Sequence, residues 1–365
     1  MRITAVDNFK DFLALQEQWK KVLELSNHTV FQTWEWLSTW WRYFGKGRRM
    51  IVLLAETDGE IHGIAPLMYS IESKFGVRQG IIEFIGTGHS EYNDFILADK
   101  PEQCIQMFFA YLNSLPYRWT YAKLADIPSE GEYLPQVSSR SKIGRTILTF
   151  ALPATCEGLS QIVKGKDRRE FGRNLRRLEE NGSKVELVDY STGNLVTKGM
   201  NTLAELHQKR WQSKGGFLGM FAESSFSKFS LDIAKCFSEK KWLGLYCLEI
   251  SGKPAAAIVG FKYFSKYYCY IAGVDPNYIK FSVGNVLYWL AIPKLIQEGF
   301  AEFDFGWGIN NYKQQWSPTE KYNLEVTYLR KKEFVNTQYW LYDKYGKAGI
   351  LLRNRVRALA GIPKN

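Results

Sequence analysis

WLGLYCLEI (242–250), AAAIVGFKY (255–263), YYCYIAGVD (267–275) and AEFDFGWG (301–308) are four apolar runs of strand length, rich in aromatic and β-branched residues. The first turns into the second at Ser251-Gly252-Lys253-Pro254. Between the third and the fourth lie a polar turn over residues 276–284 and a helix that starts near Asn285 and ends at Gly299. This order sets a strand, a glycine-containing turn and a helix N-terminus beside a neighbouring strand. A helix start offers unpaired backbone N–H groups and a partial positive charge, which suits a pyrophosphate or a similar anion. The segment therefore reads as a cofactor cradle as well as core.

With 365 residues the chain is long for one core and comfortable for two domains. Hydrophobic residues make up 45% and aromatic residues 15%, ample for globular burial. No apolar run reaches the roughly 18 residues of a spanning helix. MRITAVDNFKDF lacks the charged start and apolar stretch of a secretory signal. These features lead us to expect a cytoplasmic protein. Cys104, Cys156, Cys236, Cys247 and Cys269 are scattered and never paired as Cys-x-x-Cys. The four histidines show no metal-ligand spacing, so no metal is expected.

The net charge of +11 is localised: residues 164–184 carry +4 and residues 330–365 carry +7, which together equal the whole excess. Such clustering points to an anionic partner, whether a phosphate-bearing substrate, a nucleic acid or an acidic membrane face. Solvated helix faces explain it equally well.

LLAETDGEIHGIAPLMY (53–69) and LYCLEISGKPAAAIVGFKY (245–263) share one plan, with Glu56 matching Glu249 and Gly59 matching Gly252 at a common offset of 193 residues. Both read as hairpins, each preceded by a helical stretch (33–43 and 201–214). The expectation is an α/β (α+β) fold made of two copies of one unit, with mixed central sheets around a cleft; chance similarity of two ordinary hairpins is the alternative. The divisions are 1–155, 156–335 with the cradle, and a basic aromatic segment 336–365. After its hairpin the first copy has GTGHSEYNDFIL (86–97), with no glycine-opened phosphate loop leading into a helix. It is expected to supply a wall and substrate contacts.

FQTWEWLSTWWRYFG (31–45), EYNDFIL (91–97), RREFGRNLRRLEENG (168–182), ELHQKRWQSKGG (205–216), YIAGVDPNYIKFSVGNVL (270–287) and FDFGWGINNYKQQW (303–316) stand in an order that resembles the GNAT-type acyltransferases. The likeness is to the branch of the cellulose-biosynthesis acetyltransferases (the CelD/BcsL group) and of the Fem aminoacyl transferases. It implies tandem GNAT-like domains and an acyl-CoA donor, with aminoacyl-tRNA as the donor in the Fem branch. The usual pyrophosphate loop is matched loosely by Lys280-Phe281-Ser282-Val283-Gly284-Asn285.

On this basis Lys280, Ser282, Val283, Gly284 and Asn285 are the candidate cofactor-binding residues, although an ordinary loop with Asn285 capping the helix also fits them. Asp304, in an apolar strand before two glycines, is the first candidate for a catalytic carboxylate, although orienting a neighbour or capping the following turn also fits it. Glu91 and Asp94, on a polar loop after Gly86 and Gly88, come second. Tyr312, Lys313 and Trp316 are candidates for lining a substrate pocket, although a Trp316 that closes the core and a solvated Lys313 fit equally well. The resemblance adds Arg210 and Trp211 on the acceptor side. Arg173 and Arg177 belong to a basic helix stripe suited to a phosphate-bearing acceptor or a lipid head group. The basic aromatic C-terminal run suits an anionic membrane surface at the inner face, although docking on the domain is the simpler reading. The expected function is acyl transfer, with acetyl-CoA or another acyl-CoA as donor, to an amine or hydroxyl of a sugar or cell-envelope precursor. Aminoacyl transfer from tRNA to a peptidoglycan-type acceptor and a non-catalytic membrane-surface scaffold are the alternatives.

Overall fold

Asp58-Gly59 and Ser251-Gly252 take positive φ at both positions (52° and 85°, 48° and 76°), the backbone of a two-residue hairpin turn whose twist matches its strands. In the computed structural model, which describes residues 1–74, 77–129, 140–213, 215 and 219–330, these turns join β2 (Arg49–Thr57) to β3 (Glu60–Lys74) and β9 (Leu243–Ile250) to β10 (Lys253–Tyr263). The remaining strands are β1 (Arg2–Val6), β4 (Val77–Phe84), β5 (Ile96–Leu97), β6 (Tyr121–Pro128), β7 (Arg140–Ala151), β8 (Val185–Asp189), β11 (Lys266–Val274), β12 (Glu302–Trp307) and β13 (Thr319–Leu329).

The described strands form one sheet in the order β1-β2-β3-β4-β6-β13-β7-β12-β11-β10-β9-β8, with β5 on β3. The order is a palindrome of two equivalent halves. Each half runs through antiparallel neighbours into a parallel pair, β4 with β6 and β11 with β12. At the centre the halves exchange strands. β13, from the second half, lies between β6 and β7, and β7, from the first half, lies between β13 and β12. The chain division near residue 155 is therefore not a break in the sheet.

The helices are α1 (Phe9–Ala14), α2 (Gln16–Glu24), α3 (Trp34–Phe44), α4 (Pro101–Ser114), α5 (Leu159–Ile162), α6 (Gly165–Glu179), α7 (Leu195–Ser213), α8 (Ser224–Glu239), α9 (Val283–Gln297) and α10 (Asn311–Gln314). In α3, Trp36, Leu37, Trp40 and Phe44 fall on one face and are buried, while Thr33 caps the start by accepting from the Trp36 amide. The 3-10 turn Val30–Gln32 before α3 has its counterpart in Met220–Ala222 before α8. The helix matching 33–43 is thus α8, not the stretch 201–214, because α8 directly precedes the second hairpin. Trp36 meets Phe229 of α8 at 5.1 Å and Phe261 of β10 at 5.5 Å between ring centres, so one aromatic core spans both halves.

The cradle helix α9 starts two residues earlier than expected, at Val283, and Gly299 follows its end at φ 87°. Residues 276–281 before it form a 3-10 helix and not an open turn. Among the described residues no helix is long and apolar enough to cross a membrane. The basic aromatic segment 336–365 lies outside the described residues.

α7 packs so closely on β11 that a Cβ at Gly273 would come within 2.5 Å of the His207 backbone nitrogen. A backbone atom cannot yield as a side-chain tip can. Gly273→Ala is therefore expected to cost about 1–3 kcal/mol or more, read as a lower urea midpoint at unchanged m-value.

Candidate active site

β11 and β12 pair at three positions only, Lys266 with Glu302, Tyr267 with Phe303 and Tyr268 with Asp304. Beyond Tyr268 the strands part. β11 stays paired to β10 as far as Val274, so its other edge, from Cys269 onward, faces a wedge with no strand partner. Two cavities open in that wedge.

The first, of about 610 Å³, lies against the start of α9 and is lined by Ala272, Val274, Ser282, Val283, Gly284 and Asn285, with α6 and Arg210 opposite. Ser282 holds the N-cap position at φ 50° and makes no side-chain cap. The Asn285 and Val286 amides bond the Ser282 carbonyl at 2.8 and 3.1 Å. Among the described residues nothing accepts from the Val283 and Gly284 amides. Two free N–H groups at a helix start, beside an open space and a residue without a Cβ, make a corner of the kind that suits an anion.

The second cavity, of about 660 Å³, shares Arg210, Ala272, Tyr288 and Tyr312 with the first, so the two are continuous. Its other walls include Gly88, His89, Ser90 and Glu91 from the first half and Phe305 to Ile309 and Lys313 from the second. The first half delivers its loop by closing its own wedge. β4 and β6 pair only at Ile81–Tyr121 and Ile82–Ala122. The loop after β4 fills the gap beyond, where Asn93 donates its amide to Asp126 O at 2.9 Å and its side chain to Ala125 O at 3.3 Å. Asn323 of β13 adds a bond to Glu91 O at 2.9 Å.

Glu91 is 8% exposed. Its carboxylate accepts from the Trp307 amide at 3.2 Å. Burial, with Asp304 nearby, pushes its pKa up to about 8. Asp304 accepts from the Gly306 amide at 2.7 Å and from the Tyr92 hydroxyl, and burial raises it to about 6. Lys313 grips the same turn from the carbonyl side, donating to Trp307 O at 2.9 Å, Gly308 O at 3.2 Å and Gly306 O at 3.4 Å. Burial lowers its pKa. Residues 304–308 are thus clamped by two carboxylates on their amides and one ammonium on their carbonyls.

His89 and His207 are held neutral, each pushed to about 4 chiefly by burial. Each ring accepts a tryptophan N–H at 3.0 Å, from Trp40 and Trp211. Tyr288 and Tyr312 stack where the cavities meet, and burial raises both phenols above their ordinary range.

Of the residues singled out from sequence, Ser282, Val283, Gly284, Arg210, Trp211, Tyr312, Lys313 and Glu91 are brought together here. Several are not. Asp304 is enclosed, has both oxygens engaged and lines neither cavity, so it positions the turn and does not meet a ligand. Asp94 lines neither cavity and accepts from the Phe95 amide at 2.8 Å. Asn285 borders the first cavity, but it neither caps the helix nor offers its side chain to a ligand, since it donates to Gln315 and accepts from Trp316. Trp316 is fully enclosed, stacked at 5.0 Å on Phe171, because its indole ties the α10 turn to α9. Arg173, Arg177 and Lys280 are exposed and line neither cavity. Sequence reasoning missed Tyr288, Arg145 and His207. Tyr288 is the one polar group of an apolar run, a detectable signal, whereas Arg145 reaches the site only through the β7 exchange. Among the described residues no group of three or more His, Cys, Asp and Glu could hold a metal ion.

Residues 165–314 match the family described as Acetyltransferase (GNAT) domain. No curated protein matches the chain. Among solved structures, FemX is similar at 12% identity, covering 89% of this chain and 97% of that one with a TM-score of 0.58. L-PGS from Bacillus licheniformis is similar at 13% identity, covering 88% and 94% with a TM-score of 0.53. A tandem GNAT protein from the clavulanic acid biosynthesis pathway is similar at 8% identity, covering 91% and 100% with a TM-score of 0.50. At these identities the likeness is one of fold, and the palindromic sheet is a tandem GNAT arrangement.

The raised Glu91 carboxyl has a consequence for stability. Its ordinary value is 4.5 and its folded value about 8, so between those pH values the folded chain binds the extra proton. Stability from this group is full below pH 4.5 and is lost as pH rises through 8. Glu91→Gln keeps an acceptor for the Trp307 amide and removes the titration. Relative to the parent, the variant should gain stability steadily from pH 5 to 8.5 in urea titrations.

Proposed function

We propose that the protein transfers an acyl group, acetyl in the simplest case, from acyl-CoA to an amine or hydroxyl of a sugar or cell-envelope precursor. We assign it to the cellulose-biosynthesis (CelD/BcsL) branch of the tandem GNAT fold. The observation that carries this reading is the parted β11–β12 pair, with free helix-start amides at one end of the wedge and the Glu91 cavity at the other. The donor's diphosphate lies against the Val283 and Gly284 amides. Its extended arm follows the unpaired edge of β11, which brings the thioester beside Tyr288 and Tyr312. The acceptor fills the second cavity, among Trp211, Trp307 and Arg145.

Glu91 takes the proton of the attacking amine or hydroxyl. A base poised near neutral pH combines an adequate ionised fraction with adequate driving force. The new bond to the carbonyl carbon forms as the carbon–sulfur bond breaks. Tyr312, protonated at neutral pH and the more accessible of the two phenols, gives its proton to the leaving sulfur. Arg210 has no side-chain partner among the described residues and borders both cavities, so it is available to an anionic group of either substrate.

The test is thiol release from acetyl-CoA in the presence of amino sugars and cell-envelope precursors. Glu91→Gln should lower kcat about 10²- to 10⁴-fold while donor affinity holds. The parent's rate should climb with pH to a plateau above an apparent pKa of about 8. Donor binding is checked separately, since a ligand at 100 times its Kd should stabilise by about 2.7 kcal/mol. Absence of any thermal shift across short and long acyl-CoAs would sink the reading. Aminoacyl-tRNA as donor is the second reading, favoured by the unpaired basic face of α6. It requires co-purifying RNA and binding that weakens steeply with salt.

A further inference from the structure

The basic face of α6 extends beyond both cavities. Lys166 and Glu170 line the donor cavity, and Arg173 and Arg177 continue the same helix face at three- and four-residue spacing. Arg177 lies about 10 Å further along the axis than Glu170. Among the described residues, none of Lys166, Arg169, Arg173, Arg176 and Arg177 forms an ion pair. The face ends at Phe281, the residue just before the α9 cap. There the Arg177 guanidinium stands 5.1 Å from the ring centre and the Lys280 ammonium 5.0 Å from it. Both cations are exposed.

The direction of the donor decides what this pair faces. Its thioester lies toward Tyr288 and Tyr312, so its nucleotide end leaves the Val283 and Gly284 amides on the opposite side, over residues 280–282 and α6. A coenzyme A nucleotide carries a third phosphate there, on the ribose 3′ oxygen. We propose that Arg177 and Lys280, flanking Phe281, form the subsite for that 3′-phosphate, an inference that rests on the acyl-CoA reading above. The guanidinium supplies a fork of donors and the ammonium a point charge. A dianion between them also relieves the repulsion along the arginine stripe, where neither Arg173 nor Arg177 has an ion-pair partner among the described residues.

The experiment is calorimetric titration of the full chain with CoA and with 3′-dephospho-CoA. The parent should bind CoA about tenfold or more tightly than the dephospho form, the worth of one charge-assisted contact. Arg177→Ala/Lys280→Ala should bind both equally, at the parent's dephospho-CoA level. Arg176→Ala/Lys253→Ala, which loses the same charge elsewhere on the surface, should keep the tenfold preference. If the parent binds both forms alike, the 3′-phosphate subsite is overturned and the donor reading stands. Preference retained by Arg177→Ala/Lys280→Ala also overturns it. If neither form binds the parent, both the subsite and the acyl-CoA reading fall.

Discussion

Two parallel strands that bond for three residues and then separate set the terms for everything else in this molecule. A strand edge left bare inside a fold holds backbone donors and acceptors that must find partners. The two halves meet that requirement differently. In the first, the loop after β4 enters the gap and Asn93 bonds the β6 backbone. In the second, the gap stays open from Cys269 to Val274 and ends at a helix start with two free amides. One half is filled and the other is receptive, although both have the same strand order.

The filled half is not idle. The loop that closes its wedge carries His89 and Glu91 to the wall of the open one. Its carboxylate is buried beside Asp304, and the low polarity there keeps Glu91 protonated to about pH 8. The turn at 304–308 is held on its amides by both acids and on its carbonyls by Lys313. The second cavity is therefore assembled from both halves. The central exchange of β7 and β13 and the shared Trp36–Phe229–Phe261 core fix the halves against each other.

Much of the local architecture is legible in the residues themselves. The four apolar runs from 242 to 308 are strands, and Asp58-Gly59 and Ser251-Gly252 make the turns their chemistry demands. The anion-favouring helix start follows from a glycine-containing segment between a strand and an apolar helix. The order of carboxylates was harder to read. Asp304 is an acid in an apolar strand before glycines, and it looks like a catalytic group until Tyr92 and the Gly306 amide are seen to occupy it. Trp316 was indistinguishable from a pocket-lining aromatic, because enclosure depends on Phe171, 145 residues away in sequence.

Residue order alone settled which stretches are strands, where the tight turns fall and which polar segment opens into an apolar helix, because each depends on neighbours a few positions apart. The folded chain decided that β7 and β13 cross between halves, that one wedge is filled and the other open, and that Glu91 and not Asp304 meets the cavity. Those outcomes depend on strand pairing and burial between residues far apart in sequence, from Asn93 with Asp126 to Glu91 with Trp307. No short-range pattern encodes that pairing.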